Sequence, residues 1–244
     1  MDNTLYISLS RQMTLRREMD IIANNIANVD TTGFKVENLM VRTEPAAPAR
    51  MADGPNPIKF VLDDGVARDF TQGSMRATGA TFDLAIEGKG FFKVETEAGT
   101  RYTRDGRFTL SPEGKITTQE GDAVQGESGE IVLDPAKGQV AIAKDGTVSQ
   151  AGEKVGKVGV YLFDDRSVLD KDRGNLLKNT SNSEPTPDTV SRVQQGMLEG
   201  SNVNPILQIT RMIEVSRAYE SVVKTMENTA DLSRRAVERL GRVA

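Results

Sequence analysis

The two ends of this chain resemble each other in composition and differ from its middle. Residues 1–32 and 206–240 contain neither glycine nor proline, whereas fifteen of the 22 glycines lie between Gly79 and Gly174. Glycine and proline disfavour helices and promote turns. The sequence therefore predicts an α+β fold, in which long N- and C-terminal helices flank a turn-rich β region. Two helical arms of this kind are expected to pack on each other or on neighbouring subunits. The layout therefore indicates a role in assembly and not a catalytic pocket.

Composition excludes several classes of function. The net charge is −4, with acidic and basic residues intermixed, so the chain has no basic surface for nucleic acid or anionic lipid. No apolar run reaches the roughly 18 residues of a membrane span, and the N-terminus lacks the pattern of a signal peptide. Cysteine and histidine are absent, which removes thiol chemistry and the commonest general base and metal ligand. We expect no enzyme activity, cofactor, metal, small-molecule substrate, nucleic-acid partner or membrane insertion.

Five apolar residues recur at helical spacing in the N-terminal arm and predict a helix from Asn3 to Val29. They are Leu5, Leu15, Met19, Ile22 and Ile26. The following residues, Asp-Thr-Thr-Gly, end the helical pattern, and Gly33 is expected to stop the helix in the left-handed conformation.

The C-terminal arm gives the clearest helical pattern. Asn204 is a suitable N-cap, and Pro205 suits the first helical position. Residues then recur at alternating spacings of three and four, which is a heptad seam that is apolar at first and weaker after Met226. The seam consists of Met212, Val215, Tyr219, Val222, Met226, Thr229, Ser233, Ala236 and Leu240.

Between the arms, turn signals about every 8–12 residues favour an antiparallel β domain of the barrel or sandwich type. Residues 82–86 and 91–94 are expected to pair as a hairpin across the glycine-containing turn 87–90. Phe91 and Phe92 should face opposite sides of their strand, one as a core residue and one as a cover residue.

These patterns predict five successive regions. They are an N-terminal helix at 1–35, a linker or extended segment at 36–78, a β domain at 79–185, a return segment at 186–204 and a C-terminal helix at 205–244. The second region has a proline-rich stretch at 44–57, and its residues 58–78 are compatible with one or two strands.

Three sequence motifs resemble those of one protein family. Residues 22–35, IANNIANVDTTGFK, closely resemble the N-terminal signature of bacterial flagellar rod and hook proteins. Residues 86–92, IEGKGFF, and 102–108, YTRDGRF, resemble that family's central β motif, and residues 196–204, GMLEGSNVN, resemble its C-terminal entry motif. The motifs occur in the family's order and frame nearly the whole chain.

The resemblance implies a structural subunit of the flagellar basal-body rod, the drive shaft that carries torque across the periplasm to the hook. It implies export by the flagellar type III apparatus without a cleaved signal, and assembly with proximal and distal rod subunits. The terminal helices would form an inner coiled-coil layer around the export channel, with the β domain outside. The opening residues and the short proline-rich stretch favour the proximal-rod branch of the family over the distal-rod branch.

We expect the motif residues to act in assembly and in the β domain. The amides of Asn24, Asn25 and Asn28 can fix the register of a neighbouring helix, although asparagine is also common at ordinary helix ends. The predicted assembly interface comprises Asn24, Asn25, Asn28, Thr32, Gly33, Phe34, Met212, Val215, Tyr219, Val222 and Met226. The predicted core and turn residues of the β domain are Gly88, Gly90, Phe91, Phe92, Tyr102, Asp105, Gly106 and Phe108.

Two other classes of function stay open from the residues alone. A carboxylate-based glycosidase that acts on peptidoglycan needs no histidine, and 35 acidic residues make accidental carboxylate pairs common. A ligand-binding β domain with incidental helices is the other alternative. Arg104 and Asp105 resemble a catalytic pair, but without a third partner they are expected to be turn charges.

Overall fold

The computed structural model describes residues 2–43, 61–181 and 183–241. Contacts within the chain divide it into two compact units. The helical unit comprises Met1–Ala27, Glu37–Arg68 and Asn204–Ala244, and the β unit comprises Asn28–Val36 and Asp69–Val203. Neither of the two long helices in the described residues is apolar enough over a sufficient length to span a membrane.

The helical unit consists of two antiparallel helices and one β-hairpin. Helix α1 spans Asp2–Ala27, helix α2 spans Pro205–Gly241, and strands β1 (Glu37–Thr43) and β2 (Val61–Arg68) pair with each other. The helices pack through a small apolar cluster because their sequence stripes face each other. The cluster contains Leu15, Ile22 and Val215 at its centre, with Met19, Ile26, Met212, Ala218, Tyr219 and Val222 around them.

The predicted start of α2 agrees with the structure, and the predicted stop of α1 at Gly33 does not. Helix α2 begins at Pro205, and the side-chain oxygen of Asn204 accepts a hydrogen bond from Leu207 N at 3.2 Å, so the predicted cap is confirmed. Helix α1 ends at Ala27, six residues before Gly33. The prediction that Gly33 stops this helix is therefore wrong, and its positive φ has another cause, described below.

The β unit is built from short antiparallel strands. Their bounds are β3 Met75–Ala77, β4 Leu84–Glu87, β5 Phe91–Thr96, β6 Gly99–Thr103, β7 Thr109–Leu110, β8 Ile116–Thr117, β9 Ala123–Gly126, β10 Gly129–Glu130, β11 Val140–Ile142, β12 Thr147–Gln150, β13 Glu153–Lys157, β14 Val160–Leu162, β15 Leu169–Lys171, β16 Leu177–Asn179, β17 Thr186–Pro187, β18 Arg192–Gln195 and β19 Met197–Glu199.

The largest sheet has the strand order β15-β16-β6-β5-β9-β8-β7, with β10 beside β9 and with β14 joining β5 to β17. Strands β11, β12 and β13 form a second sheet, and the pairs β4–β18 and β3–β19 stand apart from it. The predicted antiparallel domain is confirmed. Among the described residues, however, the strands do not close into a barrel.

The predicted pairing of residues 82–86 with 91–94 is wrong. Strand β4 pairs with β18, in a register that places Leu84 opposite Gln195, and β5 pairs with β6, β9 and β14. Gly88 between β4 and β5 has a φ of +139°, which redirects the chain away from a tight hairpin. A Cβ at Gly88 would lie 2.0 Å from Ser191 Oγ, so the new direction also needs glycine.

The predicted linker or extended segment at 36–78 holds β1, β2 and β3, of which β2 and β3 lie in the part that is compatible with one or two strands. The predicted return segment at 186–204 holds β17, β18 and β19. Strands β18 and β19 have no local signal in the sequence, because their partners β4 and β3 are more than 100 residues away. The proline-rich stretch at 44–57 lies outside the described residues.

Strand β5 lies between two apolar clusters. Phe91 and Phe92 face opposite sides, as predicted, but both are 0% exposed, so the prediction that one of them is a cover residue is wrong. Phe92 packs edge-on against Phe108 with 5.1 Å between ring centroids, and Phe91 packs against Phe163 at 6.0 Å. The β unit therefore has a core on each face of this strand.

Replacement of either phenylalanine by alanine should lower the free energy of unfolding by about 3–5 kcal/mol, because each change leaves a cavity in a filled core. Urea denaturation of F91A and F92A measures the two losses. The control is V190A, since Val190 is 87% exposed and a surface change of this kind shifts stability by less than about 0.5 kcal/mol. A small loss for one phenylalanine alone would restore the cover-residue interpretation.

Candidate functional site

The three sequence motifs meet at one buried charge cluster in the β unit. The N-terminal motif supplies Lys35, the central motif supplies Arg104 and the C-terminal motif supplies Glu199 and Asn202. We call these four residues the junction cluster. The sequence does not predict this cluster, because nothing in a single sequence pairs charges that are 95 or 164 positions apart.

Glu199 is the centre of the junction cluster. Its side chain is fully buried at the end of β19. One carboxylate oxygen accepts from Lys35 Nζ at 2.5 Å and from Gly73 N at 3.0 Å, and the other accepts from Arg104 Nη1 at 3.0 Å. A buried carboxylate is tolerated only with such partners, because burial removes its hydration.

Lys35 is held on two sides. Besides Glu199, its ammonium donates to the backbone carbonyl oxygen of Thr71 at 2.7 Å. Burial lowers the pKa of Lys35 from its ordinary value of 10.5, and the neighbouring carboxylate of Glu199 opposes that shift. The two acceptors hold the ammonium group in place, although burial removes the water that would otherwise solvate its charge.

Arg104 is not an exposed turn charge, so that prediction is wrong. Its side chain is buried, and Nη2 donates to the carbonyl oxygen of Gly88 at 2.6 Å. The guanidinium carbon lies 5.1 Å from the centroid of the Phe91 ring, a cation–π distance. Burial lowers the pKa of the Arg104 guanidinium, and the pairing with Glu199 raises it. Arg104 thus links the junction cluster to the turn after β4 and to the core.

Asn202 completes the junction cluster through its amide. Its Oδ1 accepts from Val36 N at 2.8 Å, and its Nδ2 donates to the carbonyl oxygens of Asp69 at 2.8 Å and Thr71 at 3.2 Å. One side chain thereby joins three segments of the backbone, which an amide can do because it both donates and accepts.

Gly33 has its positive φ because of a close approach and not because of a helix end. Its φ is +71°, and a Cβ there would lie 2.6 Å from the backbone of Arg104 and Asp105. Its N–H donates to the carbonyl oxygen of Glu199 at 2.8 Å. The glycine allows the N-terminal motif to lie directly against the central motif.

The predicted asparagines occupy three different environments. Asn25 is buried, and its amide exchanges hydrogen bonds with the backbone N–H and C=O of Glu37 at 2.9 and 2.8 Å, so it fixes β1 against α1. Asn28 Oδ1 accepts from the hydroxyl of Thr31 at 3.1 Å within the turn after α1. Asn24 has an exposed side chain. Thr32 and Phe34 are buried in the β unit.

The first four predicted seam residues of α2 face α1 of the same chain. Val215 is buried, Met212 and Val222 pack around it, and Tyr219 accepts a hydrogen bond from Gln12 at 2.9 Å. Other large apolar side chains are exposed instead, at spacings of three and four that place each set on one helix face. We call these sets the α1 stripe, Tyr6, Leu9 and Met13, and the α2 stripe, Ile206, Ile209 and Ile213.

The predicted residues of the central motif are structural. Tyr102 and Phe108 are buried, and a Cβ at Gly106 would lie 1.6 Å from the carbonyl oxygen of Leu84. Asp105 lines a polar cavity with Glu120, but Arg107 Nη2 binds Asp105 Oδ2 at 2.6 Å. This carboxylate is therefore occupied by an ion pair. Gly90 packs beside Val160, where a Cβ would lie 2.3 Å from a methyl group.

The chain matches three family models that together cover much of its length. Residues 5–35 match the flagella basal body rod protein family, and residues 85–150 match the D1 domain of the flagellar hook proteins FlgE/F/G. Residues 194–239 match the C-terminal region of the flagellar basal body rod proteins FlgEFG. Each model includes one of the motifs, or a part of one, that meets in the junction cluster.

Full-length relatives agree with these matches. The chain is 59% identical to the flagellar basal-body rod protein FlgF of Caulobacter vibrioides over 100% of both chains, and 36% identical to FlgF of Mesorhizobium japonicum over 99% of both. It is 31% identical to the flagellar basal-body rod protein FlgG of Bacillus subtilis, over 94% of this chain and 96% of that protein.

The fold and these matches place the chain among the structural proteins of the flagellar rod and hook. The chain belongs to the family of flagellar basal-body rod proteins, and the FlgF branch is better supported than the FlgG branch. Members of this family are structural components of the rod, in agreement with the expected absence of an enzyme role.

Substitution of Gly33 by alanine should destabilise the β unit more than the same change at Gly79. Both glycines have similar positive φ values, +71° and +75°, so both variants lose about 1–2 kcal/mol to backbone strain. Only Gly33 has backbone within 4 Å of the added Cβ, which adds about 1–3 kcal/mol of overpacking. Urea denaturation of G33A and G79A measures the difference, and equal losses would contradict the close approach.

The stability difference between the natural chain and K35M should grow as pH rises toward 10.5. Burial lowers the pKa of Lys35 in the folded chain below that value. Between the two pKa values the unfolded chain binds more protons, so the contribution of Lys35 to the free energy of unfolding increases with pH. Denaturation of both proteins at pH 7 to 11 tests the sign. A difference that falls over this range would mean that the pKa of Lys35 is raised.

Proposed function

We propose that this chain is a subunit of the proximal part of the rod, and that the rod transmits torque across the periplasm and encloses the export channel. The supporting observation is 59% identity over the whole chain to a basal-body rod protein named FlgF. Relatives named FlgG align at lower identity. The partners are other rod subunits, and the flagellar type III apparatus exports the chain.

The two terminal helices form the inner, coiled-coil layer of the rod in this proposal. Helices of 26 and 37 residues span roughly 39 and 55 Å at 1.5 Å per residue. Their mutual packing through Leu15, Ile22 and Val215 supports the proposal, because it uses the seam residues and leaves the other helix faces free for neighbours. The seam residues would then act in assembly indirectly, by holding the pair together.

The direct contacts with neighbouring subunits are made by the α1 stripe and the α2 stripe in this proposal. Ile206 is 77% exposed and Met13 is 66% exposed, and contiguous exposed apolar side chains commonly mark interaction surfaces. The stripes lie near opposite ends of the antiparallel pair, since Asn25 contacts Gln208 and Gln12 contacts Tyr219. Contacts between such different patches are heterologous and extend into helical arrays.

The variant I206D should abolish swimming without unfolding the chain. Ile206 lies in the first turn of α2, where an aspartate favours the helix, and its side chain is largely exposed. A charge there would be buried without a partner in a subunit contact. Motility in soft agar, electron microscopy of isolated basal bodies and a thermal melt of purified protein measure the effect in a strain that lacks the chromosomal gene.

The matched control is S221D, which places the same charge at an exposed polar position of the same helix. We expect S221D to swim normally. Full motility of I206D would contradict the interface, whereas loss of motility with intact basal bodies would contradict a role in assembly. Normal swimming of a strain that lacks the gene would contradict the proposed function as a whole.

A further inference from the structure

Three of the four places where the chain passes between its two units are close in sequence to residues of the junction cluster or to residues that it binds. The β unit includes residues 28–36 and begins again at Asp69, and it ends at Val203. The passages therefore occur after Ala27, after Val36, after Arg68 and after Val203. The β-unit segments beside them are 28–36, 69–74 and 199–203, which we call the three passes.

Each pair of passes is joined directly by hydrogen bonds. The first and third passes are joined by Gly33 N to the carbonyl oxygen of Glu199 at 2.8 Å, and the first and second by Asp69 N to that of Val36 at 3.0 Å. Gly200 N donates to the carbonyl oxygen of Ser74 at 2.8 Å, which joins the second and third. Each pass is therefore hydrogen-bonded to both of the others.

The side chains of the junction cluster join all three passes at once. The Glu199 carboxylate binds Lys35 from the first pass and Gly73 N from the second. The Asn202 amide binds Val36 from the first pass and both Asp69 and Thr71 from the second. Removal of the first or second pass takes a donor from the fully buried Glu199 carboxylate, and removal of the third leaves the buried Lys35 without that carboxylate. An unpaired buried charge is strongly disfavoured.

Stability alone explains this arrangement poorly. A buried ion pair gains little over well-packed apolar residues, because desolvation offsets most of its attraction. In some proteins, buried polar groups instead restrict the chain to one arrangement, because only that arrangement gives every group a hydrogen-bond partner. The junction cluster has that property for the three passes.

We propose that the junction cluster is a clamp that makes the three passes open and close as one cooperative unit. Tension that enters the β unit through one of the three passes is then shared by the other two. The clamp is a property of the folded subunit, and only its use under torque rests on the proposed function.

Hydrogen exchange of the full chain, read by mass spectrometry, tests the clamp in the variant E199Q. Glutamine keeps the size of the side chain but turns an N–H donor toward Lys35 or Arg104. We expect the amides of Gly33, Val36, Asp69 and Gly73 to exchange at least 10-fold faster in concert, while β5 keeps its natural protection. The control D122N breaks the ion pair with the exposed Arg173 side chain and should change none of these amides.

Two results would overturn the clamp. One is faster exchange confined to Gly73, which directly loses a charged acceptor, because the passes would then open independently. The other is an equal acceleration in β5, because the cluster would then act only on global stability.

A second variant decides the matter if E199Q does not fold. N202A removes the amide that binds Val36, Asp69 and Thr71 but leaves every partner of Glu199 in place. The clamp predicts that Gly33 and Gly73, which bind Glu199 and not Asn202, also exchange at least 10-fold faster in N202A. Natural protection at these two amides would show that the passes are uncoupled. None of these results depends on whether the rod assembles.

Discussion

The buried carboxylate of Glu199 is the constraint on which the arrangement of the chain ends depends. A fully buried charge needs partners on all sides, and here they come from Lys35, Arg104 and the backbone N–H of Gly73. These groups belong to segments that are far apart in sequence, and Lys35 and Gly73 lie within a few residues of Glu37 and Arg68, where parts of the helical unit begin and end. The β unit can therefore satisfy its central charge only when the segments leading to both terminal helices are in place. Local packing of strands would not impose that condition.

The glycines beside this charge are required by proximity. Gly33 lies against the backbone of Arg104, and a Cβ at Gly73 would lie 2.0 Å from the carbonyl oxygen of Gly200. Backbones at such distances leave no room for side chains, so the charged side chains can reach across from the neighbouring positions. Gly33 and Gly73 therefore allow the passes to approach closely, and the charged side chains of the motifs lie between them. Arg104 also contacts the core through the ring of Phe91.

The sequence predicted the helices well because their signals are local. The cap at Asn204 and the first part of the α2 seam, from Met212 to Val222, depend on residues within one or two turns, and both are confirmed. Strand pairing was predicted poorly because β4 has its partner in β18, more than 100 residues later, so the neighbouring β5 was the wrong choice. The same limit hid the junction cluster. In the sequence, Lys35, Arg104 and Glu199 look like ordinary surface charges. Only the fold shows that they are buried and that Lys35 and Arg104 both bind Glu199. Glycine is common both at helix ends and where two backbone segments approach closely. The sequence does not distinguish these two reasons for Gly33, and only the fold shows that the second one applies.

The environment of helix α2 changes along its length, because α2 has 37 residues and its partner α1 has only 26. The contacts Asn25–Gln208 and Gln12–Tyr219 align the start of α1 with about residue 229 of α2 at equal rise per residue. Beyond that point α2 has no α1 beside it, and there Leu232 and Val237 are 65% and 70% exposed. Near its start α2 is apolar on two faces, the seam toward α1 and the α2 stripe on the far side. A helix that needed only one intramolecular partner would be polar on the far side and would end with that partner. The surplus apolar surface at both ends of α2 is therefore best explained by contacts that a single chain does not supply.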